Sequence, residues 1–163
     1  MLNIRPATRD DAALILELIR GLAEYERAPD AVVATEADIV RDGFSGNPRF
    51  HCVIAEWDRS PAGFAFYFFH YSTWLGKPGL YLEDLFVKPE VRRKGIGKAL
   101  LVHLAQMAMR ENCYGMRWQV LDWNQPATDF YERLGAKVVR EWLEVRISGE
   151  SLRALADSKG VSG

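Results

Sequence analysis

A basic loop that contains two glycines is the stretch of this sequence best suited to bind an anion. Arg92, Arg93 and Lys94 precede Gly95-Ile96-Gly97, and a helical pattern begins directly after them. The first N–H groups of a helix lack intrahelical acceptors and lie at the positive end of the helix dipole, so they attract phosphate. Glycine lets a ligand approach the backbone closely. The arrangement suggests a phosphate or pyrophosphate site in this loop.

The spacing of the glycines limits which phosphate motif the loop can be. It lacks the G-x-x-x-x-G-K-[ST] pattern of a P-loop, and a dinucleotide fingerprint would need a third glycine where Leu100 stands. What remains is R-x-x-G-x-G from Arg92 to Gly97, between a predicted strand and a predicted helix. Because short glycine motifs are weak signals, the loop alone is equally compatible with a basic turn that caps a helix.

Two adjacent carboxylates interrupt the apolar segment that leads into this loop. Residues 80–87, LYLEDLFV, are typical of a strand, and Pro89 ends it. Regular alternation would place Tyr81, Glu83, Leu85 and Val87 on one face and Leu80, Leu82, Asp84 and Phe86 on the other. A carboxylate on a central strand is costly unless it pairs with a cation or lines a cleft. Two adjacent acids favour the cleft over a structural salt bridge.

The remaining pattern predicts one α/β domain over residues 1–163, in which helices and strands position these groups. We predict strands at 2–5, 50–57, 62–71, 80–87, 116–121 and 137–147. We predict helices from Thr8 to about Pro29, from Thr35 to about Asp42, and over 95–112, 127–134 and 148–156, with a frayed tail from Ser158.

The composition excludes several classes of function. The chain has 163 residues and a net charge of −1, which gives no overall attraction to nucleic acid or anionic membranes. Neither its two cysteines, Cys52 and Cys113, nor its three histidines have the spacing of a metal site. The sequence has no signal-peptide pattern and no apolar run of membrane-spanning length. We therefore expect a cytoplasmic protein with no metal and no nucleic-acid or membrane partner.

Several motifs together resemble one known family. The R-x-x-G-x-G loop after an acidic strand resembles the acetyl-CoA pyrophosphate loop of the GNAT N-acetyltransferases. LYLEDLFV, HYSTWLGK (70–77) and VLDWNQPATDFYERLGA (120–136) are similar to the diamine acetyltransferase subfamily, which includes spermidine/spermine acetyltransferase. The likeness runs from IRPAT (4–8) to about Trp142. It implies the GNAT fold, a mixed but mostly antiparallel twisted sheet flanked by helices, with a V-shaped splay after the central strand.

The resemblance also implies a reaction and roles for particular side chains. The expected activity is transfer of an acetyl group from acetyl-CoA directly to a primary amine, with both substrates bound together. Glu83 would take the proton of the amine through a water molecule, and Asp84 would help to hold a cationic substrate. Tyr131 would donate a proton to the departing thiolate, because a phenol of pKa near ~10 is protonated at neutral pH. From its local sequence alone, Tyr131 could equally be a core residue.

The same resemblance assigns the binding residues. Main-chain contacts to pantetheine would come from a strand bulge and the residues after it. The cofactor-binding set is Leu85, Phe86, Val87, Arg92, Arg93, Lys94, Gly95, Ile96, Gly97, Lys98, Asn124 and Ala127. The amine-binding set is Tyr25, Glu26, Trp74, Glu83, Asp84 and Glu141. From sequence alone, Tyr25 could instead complete an apolar helix stripe and Glu26 could be solvated, and Glu141 lies in a segment shorter than that of the family.

One tripeptide bears on the choice of amine. Ser72-Thr73-Trp74 stands where spermidine and spermine acetyltransferases carry an acidic residue and a proline before the tryptophan. This form, with DWNQ at 122–125, resembles the branch that acetylates thialysine, a lysine analogue. We expect a lysine-like amino acid or small diamine as substrate and a homodimeric enzyme. Polyamine acetylation, acetylation of a protein lysine or N-terminus, and a non-catalytic acyl-CoA-binding module are the alternatives.

Overall fold

The computed structural model describes residues 1–158 as two compact units, Met1–Gln119 and the segment that begins at Val120. Ser158 is the last described residue, so the rest of the predicted frayed tail lies outside the described part of the chain.

The first unit contains a five-stranded sheet. Its elements are β1 (Leu2–Pro6), α1 (Ala12–Tyr25), α2 (Glu36–Gly43), β2 (His51–Trp57), β3 (Ser60–Ser72), β4 (Lys77–Val87), α3 (Ile96–Arg110) and β5 (Met116–Arg117). The strand order is β1-β2-β3-β4-β5, with antiparallel pairs from β1 to β4 and a parallel pair between β4 and β5. This is the mixed, mostly antiparallel sheet that the resemblance predicted.

Helices cover both faces of this sheet. On one face, α1 and α2 bury an apolar cluster against the strands, with Ile15 and Leu18 of α1 packed with Phe64 and Phe86. On the opposite face, the Tyr67 hydroxyl donates to Sδ of Met107 in α3 at 2.7 Å. Phe66 packs against the α1 cluster while its neighbour Tyr67 contacts α3, as the alternation of a strand requires.

The start of the helical layer is fixed by a buried carboxylate. Asp11 accepts two hydrogen bonds from the Arg5 guanidinium, each of 2.8 Å, and one from the Thr8 backbone N–H at 2.7 Å. These hydrogen bonds hold the pKa of the Asp11 carboxyl well below its usual range, and those from Arg5 make the largest contribution. The capping box expected at Thr8 is present. The ion pair between Arg5 and Asp11 links β1 to the turn before α1.

The second unit contains two short helices, α4 (Gln125–Arg133) and α5 (Gly149–Asp157). The strand predicted over residues 137–147 is wrong, because the structure places these residues outside regular secondary structure. The strand predicted over 116–121 is correct only for Met116–Arg117. A segment with strand propensity forms a strand only where a partner strand is available for pairing. Val145 in this segment is 93% exposed, so its side chain has few contacts in the described part of the chain.

Gly21 provides a stability test of the contact between α1 and β4. A Cβ added at Gly21 would lie 2.9 Å from a ring carbon of Phe86, which is buried. We expect Gly21→Ala to lower the free energy of unfolding by about 1–2 kcal/mol, because overpacking outweighs the ~1 kcal/mol by which alanine favours a helix. Urea denaturation would measure the change. Gly46→Ala is the control, since a Cβ there meets no atom within 4 Å; a stabilised Gly21→Ala variant would contradict the expectation.

Candidate active site

The central strand β4 carries a β-bulge at Glu83. Across the β3–β4 pair, Phe66 lies opposite Asp84 and Tyr67 lies opposite Leu82, so Glu83 is an extra residue without a partner in the register. The extra residue of a bulge stays outside the regular ladder, and the strand bends there. The structure therefore contains the bulge that the resemblance implied, at the first of the two adjacent acids.

The bulge changes which side chains share a face of the sheet. Residues paired across an antiparallel ladder lie on the same face. Asp84 therefore lies with Phe66 on the α1 side, whereas Leu82 lies with Tyr67 on the α3 side. The prediction that Leu82 and Asp84 share a face is wrong. Regular alternation cannot continue through an inserted residue, and no residue type in the strand marks the insertion.

Beside the bulge, the pairing of β4 with β5, its neighbour on the other side, also ends. Its pairing with β5 is limited to Leu80–Met116 and Tyr81–Arg117, whereas its pairing with β3 continues to Val87. Within the described residues, the β5 side of β4 thus lies outside a ladder from residue 82 onward. This loss of pairing is what a splay after the central strand requires. It leaves main-chain groups beside Leu85, Phe86 and Val87, where an extended ligand could add to the strand edge.

Three carboxylates belong to the region of the bulge, and the charges of two of them act on the third. Glu83 is exposed, Asp84 is partly buried, and Glu26 directly follows the last residue of α1. Burial first, and then the charges of Glu83 and Glu26, raise the pKa of Asp84 to about 7. Burial also raises the pKa of Glu26. Such a cluster lowers its energy by binding a cation or a proton, and an amine substrate is a cation at neutral pH.

The aromatic residues predicted for the amine site lie in two different places. Tyr25 ends α1, directly before Glu26, and therefore belongs to the same region as the three acids. Trp74 is 90% exposed in the turn between β3 and β4. From Lys77, at the start of β4, to Asp84 is seven residues, or about 23 Å of strand. Within one chain, Trp74 is not brought together with the acids.

The loop after β4 has the backbone of an anion site. Arg93 and Gly95 adopt left-handed conformations, with φ of 64° and 79°, and α3 begins at Ile96. A Cβ placed on Gly95 would meet no atom within 4 Å, so the backbone there is open to a ligand. The first N–H groups of α3, from Ile96 to Lys98, have no intrahelical acceptors. These features fit a pyrophosphate.

The loop is also the start of a groove. Gly95, Lys98 and Ala99 line it together with Ile4 of β1, and it continues past His103 along α3 with a volume of about 430 Å³. Burial, and then the charge of Arg110, lower the pKa of His103. Lys98 is exposed at the first turn of α3, where its charge adds to the attraction for phosphate.

Two of the three cations before the glycines contact their own chain. The Nε of Arg92 donates to the Val87 carbonyl at 3.0 Å, and its guanidinium carbon lies 4.7 Å from the centre of the Tyr25 ring. The Nζ of Lys94 lies 5.0 Å from the centre of the Trp57 ring. The sequence showed the charges but not these aromatic partners, which come from distant parts of the chain.

In the second unit, Asn124 has a structural role that the sequence analysis missed. Its buried side chain accepts a hydrogen bond from the Ala127 N–H at 3.3 Å and so caps α4. An asparagine directly before a Gln-Pro pair is a signal that could have found this cap. The cap fixes the start of the helix that carries Tyr131, whose partly buried ring lies 5.4 Å from that of Phe130. Glu141 is exposed, outside regular structure.

Other chemistries have little support in the described residues. Burial raises the pKa of the Cys52 thiol and that of Cys113, so neither favours a nucleophilic thiolate. Across residues 1–158, His, Cys, Asp and Glu side chains form no cluster of three that could hold a metal. None of the helices described is both long and apolar enough to span a membrane.

The raised pKa of Asp84 predicts a pH dependence of stability. Its folded pKa of about 7 exceeds an unfolded value near ~3.9, so between these values the folded state binds more protons than the unfolded state. The free energy of unfolding should therefore fall as the pH rises from about 4 to 7. In Asp84→Asn this contribution is absent, and the variant should gain stability relative to the wild type across that interval. Urea denaturation of both proteins at several pH values measures the difference, and a difference independent of pH would contradict the assignment.

Comparison with known proteins agrees with this geometry. Residues 15–136 match the acetyltransferase (GNAT) family. Thialysine N-epsilon-acetyltransferase of Sus scrofa is 43% identical over 164 residues, covering 94% of this chain and 96% of that protein. Spermidine/spermine N(1)-acetyltransferase-like protein 1 of Homo sapiens is 41% identical over 82% of this chain and 20% of its own length. An integron cassette protein from the mobile metagenome of V.cholerae superposes with a TM-score of 0.81 at 28% identity, covering 96% of this chain and 98% of its own. The chain belongs to the GNAT family of acetyltransferases and is an acyltransferase.

Proposed function

We propose that this acyltransferase acetylates the primary amine of a lysine-like amino acid or a small diamine, with acetyl-CoA as the acetyl donor. The observation that carries the proposal is the pair of carboxylates at the bulge, Glu83 and Asp84, on the strand that leads directly into the phosphate-type loop, with the charge of Glu26 from the end of α1 acting on Asp84. A cationic substrate and an anionic co-substrate would be attracted to neighbouring parts of one strand–loop unit. The thialysine acetyltransferase of Sus scrofa supports the choice of amine.

Each residue group has a separate task in this proposal. Acetyl-CoA supplies the acetyl group as a thioester. The main chain of residues 85–87 binds the pantetheine arm, and the loop from Arg92 to Lys98 binds the pyrophosphate, chiefly through the N–H groups at the start of α3. Asn124 and Ala127, at the start of α4, also contact the pantetheine arm. Tyr25 and Glu26 hold the amine together with Asp84 and Glu141.

Proton transfer is assigned to Glu83 and Tyr131. A lysine-like amine has a pKa near ~10.4 and must lose a proton before it can attack a carbonyl. Glu83 is exposed at the bulge, where it can accept that proton through a water molecule. Tyr131 donates its phenolic proton to the departing thiolate. Main-chain N–H groups at the bulge stabilise the developing negative charge on the carbonyl oxygen.

A second substrate class has its own support. The human relative named for spermidine/spermine acetylation is 41% identical to this chain, and the same carboxylates would attract a polyamine. Against it stands Ser72-Thr73, since this sequence carries no carboxylate directly before Trp74. A lysine-like amino acid or a small diamine therefore remains the favoured substrate.

We further propose that the enzyme is a homodimer. Leu75 is exposed in the same turn as Trp74, and Tyr71 is exposed near the end of β3, so an apolar surface lies at the end of the β3–β4 hairpin. Because Trp74 is far from the acids of its own chain, it can serve an amine site only from a second copy. Sedimentation equilibrium would test this, and a monomer with full activity would exclude it.

The first experiment ranks amines by kcat/KM in a thiol-release assay with acetyl-CoA. The panel is thialysine, lysine, ornithine, putrescine, spermidine, spermine and a lysine peptide. We expect thialysine and lysine-like compounds to rank first. Preference for spermidine or spermine would favour the polyamine alternative, and turnover of the peptide alone would favour a protein substrate. Binding of acetyl-CoA without turnover would indicate an acyl-CoA-binding module.

Tyr131→Phe tests the proton donor. Removal of one phenolic oxygen should lower kcat by roughly 10²-fold or more, with little change in the Kd of acetyl-CoA. Tyr114→Phe removes the same atom from a tyrosine that lies beside His70, and it should keep the wild-type kcat. An unchanged kcat in Tyr131→Phe would exclude this residue as the acid.

Glu83→Gln tests the proton acceptor. The amide cannot accept the proton, so the rising acid limb of the pH dependence of kcat should disappear. Glu17→Gln, an exposed carboxylate on α1, is the control. If the limb persists in Glu83→Gln with the same apparent pKa, the base is another group or the titration belongs to the amine.

A further inference from the structure

The Arg92 side chain turns back from the phosphate-type loop and contacts α1 and the end of β4. Its Nε donates to the Val87 carbonyl at 3.0 Å. The guanidinium carbon lies 4.7 Å from the ring centre of Tyr25 and 5.8 Å from that of Phe86. No described ion pair includes Arg92. Its contacts are thus a carbonyl oxygen and two aromatic faces, which suit a planar guanidinium.

These contacts join the end of α1 to the exit of β4. Phe86 packs against α1 at Gly21, and Tyr25 lies one helical turn beyond Gly21. Tyr25 is 39% exposed, so the apolar core covers it less than the earlier turns of α1. After Glu26 the chain reverses through Arg27, which has a left-handed φ of 63°. Arg92 therefore overlies the last turn of the helix, where α1 passes into an irregular segment.

The position of that last turn matters for the acids at the bulge. Glu26 follows Tyr25 directly, and the charge of Glu26 acts on Asp84. A shift of the α1 end by about 1 Å would change the distance between these carboxylates and hence the shape of a site for a cation. Positioning errors of this size are large enough to alter substrate binding.

We propose that Arg92 is a positioning residue for the amine site, which fastens Tyr25 and thus Glu26 to the end of β4, rather than a ligand of the pyrophosphate through its side chain. The inference depends on the proposed function in one respect, namely that Glu26 and Asp84 receive the amine. It separates two roles within the loop. The backbone from Gly95 to Lys98 binds the anion, whereas Arg92 positions the residues that bind the amine.

Arg92→Lys is the sharpest variant, because it keeps the positive charge but loses the planar face and the Nε donor. A charge that only attracts phosphate survives this change, whereas the Nε hydrogen bond to Val87 and the stacking of a planar guanidinium on Tyr25 do not. We expect the KM of the amine to rise roughly tenfold, from loss of the Nε hydrogen bond and of the guanidinium stacking on Tyr25. The kcat should change less than the KM, and the Kd of acetyl-CoA should stay within about twofold of the wild type.

Glu17→Gln is the matched control. The Nζ of Lys88, the residue directly after β4, donates a 2.8 Å hydrogen bond to the Glu17 carboxylate of α1. The variant therefore removes the charge of a different link between the same two elements. We expect it to leave the KM of the amine unchanged. An equal rise in KM in both variants would mean that general loosening of α1 is responsible, which would overturn a specific role for Arg92.

A double-variant comparison tests whether Arg92 acts through Tyr25. If the two residues work as a unit, Arg92→Lys and Tyr25→Leu together should raise the KM of the amine little more than Tyr25→Leu alone. Multiplicative effects would mean that the two residues act independently and would overturn the inference. A rise in the Kd of acetyl-CoA in Arg92→Lys, with an unchanged KM for the amine, would identify Arg92 as a phosphate ligand and also overturn it.

Hydrogen exchange gives a readout that does not depend on turnover. In the free protein, Arg92→Lys should increase amide exchange in the peptide that covers residues 22–28 several-fold, whereas Glu17→Gln should not. Unchanged exchange overturns the inference even if the enzyme acetylates amines as proposed. If the wild type acetylates no amine in the panel, the proposed function fails, and faster exchange in Arg92→Lys would still establish that Arg92 holds the end of α1.

Discussion

The inserted residue in β4 is the feature on which the arrangement of the site depends. Before Glu83, the strand contributes Leu80 and Leu82 to the α3 side of the sheet, and after Glu83 it contributes Asp84 and Phe86 to the α1 side. Without the bulge, Asp84 would point in the same direction as Leu82, into the core below α3. One extra residue thus moves a carboxylate from a closed apolar layer to the side where α1 ends.

The energetic cost of this arrangement is visible in Asp84. Burial of a carboxylate near two others is unfavourable, and the raised pKa of about 7 measures how strongly its charged form is disfavoured. Folding alone gives no reason to keep three acids in one place, because a cluster of this kind opposes stability above neutral pH. Sites that break the usual rules of burial in this way tend to be functional, since a ligand of opposite charge relieves the repulsion.

Much of this site could be predicted from sequence because it rests on local chemistry. Glycines before an amphipathic segment indicate an open backbone at a helix start, and α3 begins at Ile96 after a left-handed Gly95. The cap formed by Thr8 and Asp11 is equally local. The prediction of a strand at 137–147 was wrong because a strand depends on a distant partner. Alternation of apolar and polar residues indicates strand propensity but not the presence of a partner strand. The bulge was implied only by family resemblance, because an inserted residue changes register without changing composition.

The direction in which the cationic side chains of the loop point was the feature of the site that was hardest to predict from sequence. Arg92, Arg93 and Lys94 form a uniform basic run in the sequence, yet Arg92 lies on Tyr25 and Lys94 lies on Trp57. Both partners are more than thirty residues distant along the chain. Cation–π contacts of this kind use the flat face of an aromatic ring and leave the loop backbone open above Gly95. If the side chains of Arg92 and Lys94 are occupied in this way, recognition of a diphosphate falls mainly to main-chain N–H groups, Arg93 and Lys98. The basic run would then contribute to the shape of the loop as much as to its positive electrostatic potential. A substitution that changes the shape of a side chain but keeps its charge therefore separates the two roles.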